Sequence, residues 1–145
     1  MKKNGFTLVE LMIAVTIVAI LAMIAVPSYT QYVRKANRTD ATKTLTLDAQ
    51  ALERCYSQTF SYVACPGAAL GGPVASIEGK YNVTIASPDT VTPGAPAASY
   101  YITAVPIGTQ VNDTDCALFT LNTLNTQKAQ NSAAADNSQT CWGST

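Results

Sequence analysis

The chain has 145 residues, of which 12% are charged, with nine basic and nine acidic side chains and no formal net charge. Soluble domains usually carry about twice that fraction of charge. A balanced charge also gives no broad attraction to polyanions, so nucleic-acid binding is possible but unsupported by composition. The chain has no histidine. Because the usual general base and the commonest metal ligand are both missing, we expect no enzyme activity, no cofactor and no metal site.

The first element is an apolar segment from Phe6 to Val26, which follows Lys2 and Lys3. As an α-helix, its roughly 21 residues would rise about 31 Å, close to the hydrocarbon thickness of a bilayer. A cleavable secretory signal would have a shorter apolar core of roughly 7 to 15 residues. The segment therefore predicts a single membrane-spanning helix.

Glu10 is the one acidic residue inside this segment. A carboxylate at the bilayer centre costs roughly 2.5–3.5 kcal/mol and costs less towards the edge. The segment contains no basic residue that could neutralise Glu10. We therefore expect its partner to come from the chain terminus or from another molecule. The alternative is an interfacial residue near the end of a plain anchor.

Pro27 follows the apolar segment and has no amide hydrogen, so it should kink or locally melt a continuous helix. Beyond it, an amphipathic pattern predicts that the helix continues to about Arg54 and packs one face on a sheet. The basic residues Arg34, Lys35 and Arg38 are interpreted as a solvated helix face, or as a contact with lipid headgroups or a neighbouring subunit. DNA contact is the alternative.

The residues after the helix predict a loop and then a small antiparallel sheet. The stretch from Cys55 to Pro73 is rich in Gly, Pro, Ser and Ala, which is typical of a loop. Alternating β-branched and aromatic residues predict strands at 81–85, 100–105 and 118–122. Because three strands alone bury little, this meander should need the helix face as a cover. The polar tail from Thr126 should be irregular and mobile unless a disulfide holds it.

The four cysteines are Cys55, Cys65, Cys116 and Cys141, and their spacing fits neither a zinc knuckle nor a redox CxxC site. Disulfides are the better interpretation, and four free thiols are the alternative. Disulfides would place the C-terminal part outside the cytoplasm. Three pairings are possible, and we favour the pairs adjacent in sequence. The later pair would close a loop of about 25 residues and contribute roughly 3 kcal/mol.

The string Gly5-Phe6-Thr7-Leu8-Val9-Glu10-Leu11-Met12, after a short basic leader and before an apolar helix that reaches Pro27, resembles the class III signal of type IV pilins and pseudopilins. The resemblance implies that a prepilin peptidase removes residues 1–5 by cleaving between Gly5 and Phe6, and that the new Phe6 amine is N-methylated. Glu10 would pair with a neighbour's terminal amine and fix the axial register of the subunits. Residues 6–27 would form the transmembrane and filament-core helix, and residues 28–145 the periplasmic globular domain.

The later segments TLDAQALERCYSQTFSY and YYITAVPIGTQVNDTDCALFTLN, with the late cysteine beside Trp142, are similar to the globular domain of PilE-like minor pilins. The resemblance implies an α+β pilin fold, in which a long N-terminal helix packs on a small antiparallel sheet and a disulfide staples the C-terminal loop. The loop between Cys116 and Cys141 resembles the pilin D-region. Where such pilins usually place a glycine soon after the last strand, this chain has Asn125-Thr126-Gln127-Lys128.

This resemblance implies a structural, minor subunit of a type IV pilus that serves adhesion, twitching motility or DNA uptake. Before assembly the chain would be a single-pass protein of the bacterial inner membrane with its C-terminal domain in the periplasm, and afterwards part of a cell-surface pilus. Its partners would be other pilin subunits, the prepilin peptidase and methyltransferase, and the inner-membrane assembly machinery.

Two alternatives remain open. A type II secretion pseudopilin shares the leader and the helix, but such proteins usually resemble a calcium-bound C-terminal loop, and here two cysteine pairs occur without an acidic cluster. A pilus-borne DNA-binding or adhesin module would need exposed basic and aromatic residues. Lys80 with Tyr81, and Lys128 near Trp142, are the candidates.

Overall fold

A computed structural model describes residues 7–63, 65, 72–89, 92–94 and 98–143. The chain divides into two compact units, the first ending at Lys35 and the second beginning at Ala36. We call the second one the globular unit. Helix α1, Leu8–Thr59, begins in the first unit and ends in the second.

Helix α1 continues through Pro27. The local melting that we considered at this proline is therefore wrong, and the kink stays a prediction. The proline removes one backbone donor, the one that would bond to the Met23 carbonyl oxygen. A separate side-chain contact lies one turn later, where the Thr30 hydroxyl donates to the Pro27 carbonyl oxygen at 2.8 Å. One lost hydrogen bond does not end a helix that has many others on either side.

The helix ends at Thr59, five residues later than expected, so the predicted loop beginning at Cys55 is wrong over its first turn. Phe60 adopts a positive φ of 52°, and its amide donates to the Tyr56 carbonyl oxygen at 2.8 Å. A residue in the left-handed region is a common helix terminator, although glycine is the usual choice. Because the sequence offers no glycine here, the end could not be located from composition.

The sheet has five antiparallel strands in the order β1-β2-β3-β4-β5. The strands are β1 Val74–Ala75, β2 Tyr81–Ala86, β3 Tyr101–Pro106, β4 Leu118–Asn122 and β5 Gln127–Gln130. A 3-10 helix, Gly108–Asn112, joins β3 to β4, and a short helix α2, Ser138–Trp142, follows β5. The three predicted strands are confirmed, and the two edge strands were missed.

One face of the sheet forms the core with the part of α1 that belongs to the globular unit. Alternate residues of β2 and β3 are buried, as the period of two in a strand requires, whereas β4 is buried on both faces from Phe119 to Asn122. Ala41, Leu45 and Leu52 of α1 belong to the same buried cluster. This arrangement confirms the α+β fold, in which a helix covers a small antiparallel sheet.

Arg38 lies inside the globular unit and is only 6% exposed. Its Nε and Nη2 atoms each lie 2.7 Å from an oxygen of Asp113, and Nη2 lies 3.3 Å from Asp115 Oδ2. The hydrogen bond to Asp113 raises the pKa of Arg38 above its ordinary value, although burial by itself would lower that pKa. The assignment of Arg38 to a solvated basic face, together with Arg34 and Lys35, is therefore wrong.

Asp40 joins α1 to the turn between β1 and β2. This carboxylate is 2% exposed, accepts hydrogen bonds from the amides of Glu78 and Lys80 at 2.9 and 3.1 Å, and also accepts one from the Ser76 hydroxyl. Three donors compensate the cost of burying a charge. The sheet edge is thus fixed to the helix by a buried acid.

The tail after Thr126 is ordered by strand β5 and helix α2, so the expected irregular tail is wrong. Asn125 adopts a positive φ of 55° at the turn between β4 and β5. Asparagine tolerates this conformation better than most residues. It therefore fits a turn position at which glycine would be the least strained residue.

Candidate assembly site

The described residues of α1 from Leu8 to Val26 are all exposed. By length and composition this helix could cross a membrane, since its most apolar 18-residue window has a mean hydropathy of 2.7. Burying one large apolar side chain contributes roughly 1.5–3 kcal/mol, so about a dozen of them represent on the order of 20 kcal/mol or more. A surface of this size requires a cover of lipid or of neighbouring helices.

Glu10 lies in the first turn of α1, at the N3 position relative to Thr7. The Glu10 amide donates to Thr7 Oγ1 at 3.3 Å, and the Thr7 hydroxyl lies 3.5 Å from Glu10 Oε2. Thr-x-x-Glu is the pattern of a capping box, in which a hydroxyl satisfies an amide of the first helical turn. This pattern was not predicted, although the spacing of Thr7 and Glu10 in the sequence shows it directly.

The Thr7 contact leaves most of the Glu10 carboxylate available. At 3.5 Å it is a weak hydrogen bond, and the described residues provide no salt bridge to Glu10. The side chain is exposed at the end of the apolar helix. The site therefore presents an acid whose strongest possible partner, a cation, would have to come from elsewhere.

The Thr16 hydroxyl, well inside the apolar segment, is paired within the helix. Thr16 Oγ1 donates to the Met12 carbonyl oxygen four residues earlier, at 2.7 Å. In hydrocarbon a polar group must find its partner within the protein. Thr16 therefore adds no polar cost to a membrane or filament core.

Gly5 and Phe6 lie outside the described residues. The expected cleavage between them and the methylation of Phe6 remain predictions from the sequence.

The globular unit contains both disulfides that we favoured, Cys55–Cys65 and Cys116–Cys141. The first joins the last turn of α1 to the segment after it. The second encloses β4, β5 and most of α2, and both of its cysteines are buried. The loop that resembles the D-region therefore contains two strands of the sheet and is held at its ends by a covalent bond.

A cluster of tyrosines connects the end of α1 to β3. The Tyr62 hydroxyl donates to Glu53 Oε1 at 3.1 Å, while the Tyr62 ring stacks on Tyr56 and contacts Tyr100 edge to face. Burial, with a smaller effect of Glu53, raises the pKa of Tyr62 to about 12. The pKa of Tyr100 is raised for the same reasons. These phenols stay protonated at neutral pH, so the cluster is suited to packing rather than to proton transfer.

The face of the sheet opposite α1 carries a groove of about 410 Å³. We call it the outer groove; it is lined by Thr92, Pro93, Tyr101, Thr120, Asn122, Thr126, Lys128 and Gln130. This lining has one cationic side chain, Lys128, and one aromatic ring, Tyr101. The aromatic candidates from the sequence do not serve this surface, because Tyr81 is completely buried and Trp142 packs on Phe119. Tyr101, which the sequence analysis did not single out, is the ring in the groove.

Among the described residues there is no group of three or more His, Cys, Asp or Glu side chains that could hold a metal ion.

Two family matches cover different parts of the chain. Residues 27–120 match the family described as "Type IV minor pilin ComP, DNA uptake sequence receptor". Residues 1–26 match the "Prokaryotic N-terminal methylation motif".

Similar proteins come from several bacteria. "Fimbrial protein EcpC" of Eikenella corrodens is 34% identical over 108 residues, which cover 74% of this chain and 69% of that protein. "Prepilin peptidase-dependent protein D" of Escherichia coli (strain K12) is 40% identical over 72 residues, 50% of this chain and 49% of that protein. "Type IV major pilin protein PilE1" of Neisseria gonorrhoeae is 34% identical over 87 residues, which cover 59% of this chain and 41% of that protein. The matches thus span about half the length of the last two relatives.

Proposed function

The chain belongs to the family of the type IV minor pilin ComP, and we propose that it is a structural subunit of a type IV pilus that assembles with other pilins through α1. The single observation that carries the proposal is the exposed apolar helix, which coincides with the N-terminal methylation motif at residues 1–26. Neither the matched family nor the fimbrial relatives favour a type II secretion pseudopilin. Pilins are structural proteins, which supports a role other than catalysis.

Processing before assembly is part of this proposal. A prepilin peptidase would cleave between Gly5 and Phe6, and its methyltransferase activity would modify the Phe6 amine, as the methylation motif supports. Co-expression with a prepilin peptidase, followed by mass spectrometry of the mature N-terminus, tests this step. We expect N-methylated Phe6 as the first residue. An intact leader, or another first residue, would contradict the proposal.

Glu10 would act in assembly by accepting the terminal amine of a neighbouring subunit. Two unit charges about 4 Å apart attract by roughly 4 kcal/mol at an effective dielectric constant of 20. The apolar surroundings strengthen such a pair, and the weak Thr7 contact leaves carboxylate oxygens for it. Pairing of this kind would set the axial register between subunits.

Two matched variants separate pairing from helix capping. Glu10→Ala removes the carboxylate but keeps its backbone amide, which still donates to Thr7. Thr7→Ala removes the capping hydroxyl, at a cost of about 1 kcal/mol, and keeps the carboxylate. We expect both variants to insert into membranes. Only Glu10→Ala should lose incorporation into filaments, by at least about tenfold for a loss of 1.4 kcal/mol. Equal incorporation of both variants would refute the pairing role.

The unassembled chain would be a single-pass protein of the inner membrane, with the globular unit in the periplasm, before it joins a surface pilus by way of the assembly machinery. Its two disulfides support this orientation, because disulfides persist in oxidising compartments. An alkaline phosphatase fused after the last residue should be active in the periplasm. If a β-galactosidase fused at the same place were active instead, the globular unit would lie in the cytoplasm and the proposed orientation would be wrong. Adhesion and twitching motility would follow from pilus assembly.

DNA reception is a second candidate function, favoured by the description of the matched family and by the outer groove with Tyr101 and Lys128. Aromatic rings and cations are the groups that hold nucleic acids. From Ala36 onward, however, the chain has five basic and eight acidic side chains. Any phosphate contact must therefore be local, near Lys128.

Gel-shift titration of the full chain in detergent with duplex DNA, at several salt concentrations, tests this second function. One phosphate contact predicts that log K falls against log salt with a slope of about −0.9. Lys128→Gln should abolish that slope, whereas Lys43→Gln, on the exposed part of α1, should not. No shift at 50 mM salt would exclude DNA reception by this chain alone.

A further inference from the structure

We propose that Tyr29, Tyr32 and Lys35 form an interfacial anchor, which holds the unassembled subunit at the outer headgroup layer of the membrane and contacts anionic phospholipid there. The inference rests on the proposed function as a membrane-anchored pilin. It adds to that function the depth at which the helix sits and the lipid chemistry that it meets.

The two tyrosines lie on one face of α1 immediately after the apolar segment. Tyr29 is 69% exposed and Tyr32 is 73% exposed. Residues three apart on a helix are neighbours on the same face. These two large rings therefore form one aromatic surface, available to whatever surrounds the helix at this level.

The helical rise places this surface at the right depth. At 1.5 Å per residue, Tyr29 lies about 4.5 Å beyond Val26 and Tyr32 about 9 Å beyond it. The polar layer on each side of the hydrocarbon is roughly 5–7 Å thick. Side chains of a helix lean towards its N-terminus, which here means back towards the bilayer. Both rings thus reach the headgroup layer, where the amphipathic ring of tyrosine is favoured.

The charge beyond the tyrosines has the sign that anionic headgroups attract. Lys35 is exposed, about 13.5 Å beyond Val26, and its long side chain can extend back to the phosphates. The segment from Pro27 to Lys35 contains two basic residues and no acidic one. Each basic residue near an anionic surface attracts it measurably. Basic residues usually lie on the cytoplasmic side of a span, so a lipid contact gives a physical reason for their place on the outer side.

Fluorescence quenching in vesicles tests the depth of the anchor. The full chain, reconstituted in phosphatidylcholine with 30% phosphatidylglycerol, would carry Tyr29→Trp or Tyr32→Trp, and the signal of the parent chain with Trp142 would be subtracted. Both positions are exposed, so the changes leave the core intact. We expect quenching by lipids brominated near the glycerol to exceed quenching by deeply brominated lipids at least twofold. Val18→Trp, within the span, should show the reverse order, and Leu124→Trp, exposed in the globular unit far along the chain from the span, should be quenched by neither.

Acrylamide quenching tests the contact with anionic lipid. In the vesicles that contain phosphatidylglycerol, Lys35→Gln should raise the acrylamide quenching of the Tyr32→Trp probe about twofold. In vesicles of pure phosphatidylcholine, the same change should leave the quenching unchanged. An unchanged value in both lipids would overturn the anionic-lipid contact. If the Tyr29→Trp and Tyr32→Trp probes behave like Leu124→Trp while Val18→Trp is deep, the interfacial anchor is wrong and the span stands. If Val18→Trp is also water-accessible, the membrane-anchored function itself fails.

Discussion

Replacing Arg38 by Ala should destabilise the globular unit severely, because it would leave Asp113 as a buried charge without its cation. Asp113 is 3% exposed, and both of its oxygens receive hydrogen bonds from Arg38 at 2.7 Å. After the substitution, its remaining described donor would be the Gln110 amide at 3.1 Å. One neutral donor cannot replace a bidentate guanidinium.

The magnitude follows from what is left unpaired. Removing one partner of a buried ion pair costs roughly 3–5 kcal/mol, against a total stability of about 5–15 kcal/mol for a typical domain. With a urea slope of about 1–3 kcal/mol/M, the midpoint should fall by roughly 2 M. Urea unfolding of the chain in detergent micelles, followed by circular dichroism, measures this shift. Lys43→Ala, at an exposed position of the same helix, should change stability by no more than about 0.5 kcal/mol.

A double-mutant cycle decides whether the pair or the packing matters. Asp113→Ala alone should also be costly, because the Arg38 guanidinium would keep only its contact with the exposed Asp115 carboxylate at 3.3 Å. The double variant should lose clearly less than the sum of the two single losses. A loss below about 1 kcal/mol for Arg38→Ala, or strictly additive losses, would refute the reasoning.

Three further predictions concern the rest of the globular unit. Replacing both Cys116 and Cys141 by Ser should lower the unfolding free energy by roughly 3 kcal/mol relative to the disulfide-bonded parent, measured by urea titration, whereas variant and parent should be equally stable once both are fully reduced. Asn125→Gly should be neutral or stabilising and Asn125→Val destabilising by about 1–2 kcal/mol, since the positive φ suits glycine; equal thermal midpoints would contradict this. Burial raises the pKa of Asp48, so its ionised form is less favourable in the folded state. Asp48→Asn should therefore stabilise the chain at pH 7, and the gain should vanish below about pH 4, where the carboxyl is protonated in both states. A gain independent of pH would exclude this cause.

The features that the sequence predicted correctly are those whose physics is local. Strands β2 and β3 were predictable from alternating β-branched and aromatic residues, because one face of each is buried. Strand β4 was predictable from the same alternation of residue types, although residues on both of its faces are buried. The capping contact between Thr7 and Glu10 is equally local but was not predicted, although the spacing Thr-x-x-Glu encodes it.

The missed features depend on partners distant in sequence. Strand β5, with the sequence QKAQ, has no apolar alternation, and only its pairing with β4, where Ala129 lies opposite Phe119, makes it a strand. Strand β1 has two residues and is fixed by its pairing with β2 and by Asp40 through the adjoining turn. Arg38 reads as a surface charge until Asp113, far along the chain, is placed beside it.

The sequence by itself determined that this chain has a membrane-length apolar helix with one acid near its start, a helix-covered sheet and paired cysteines, because length, periodicity and residue type express these directly. Tertiary structure alone decided which charges are buried, that the polar tail is a strand and a helix, and which aromatic ring faces the outer groove. Those outcomes depend on burial and on contacts between residues far apart in the chain, and no local pattern encodes them.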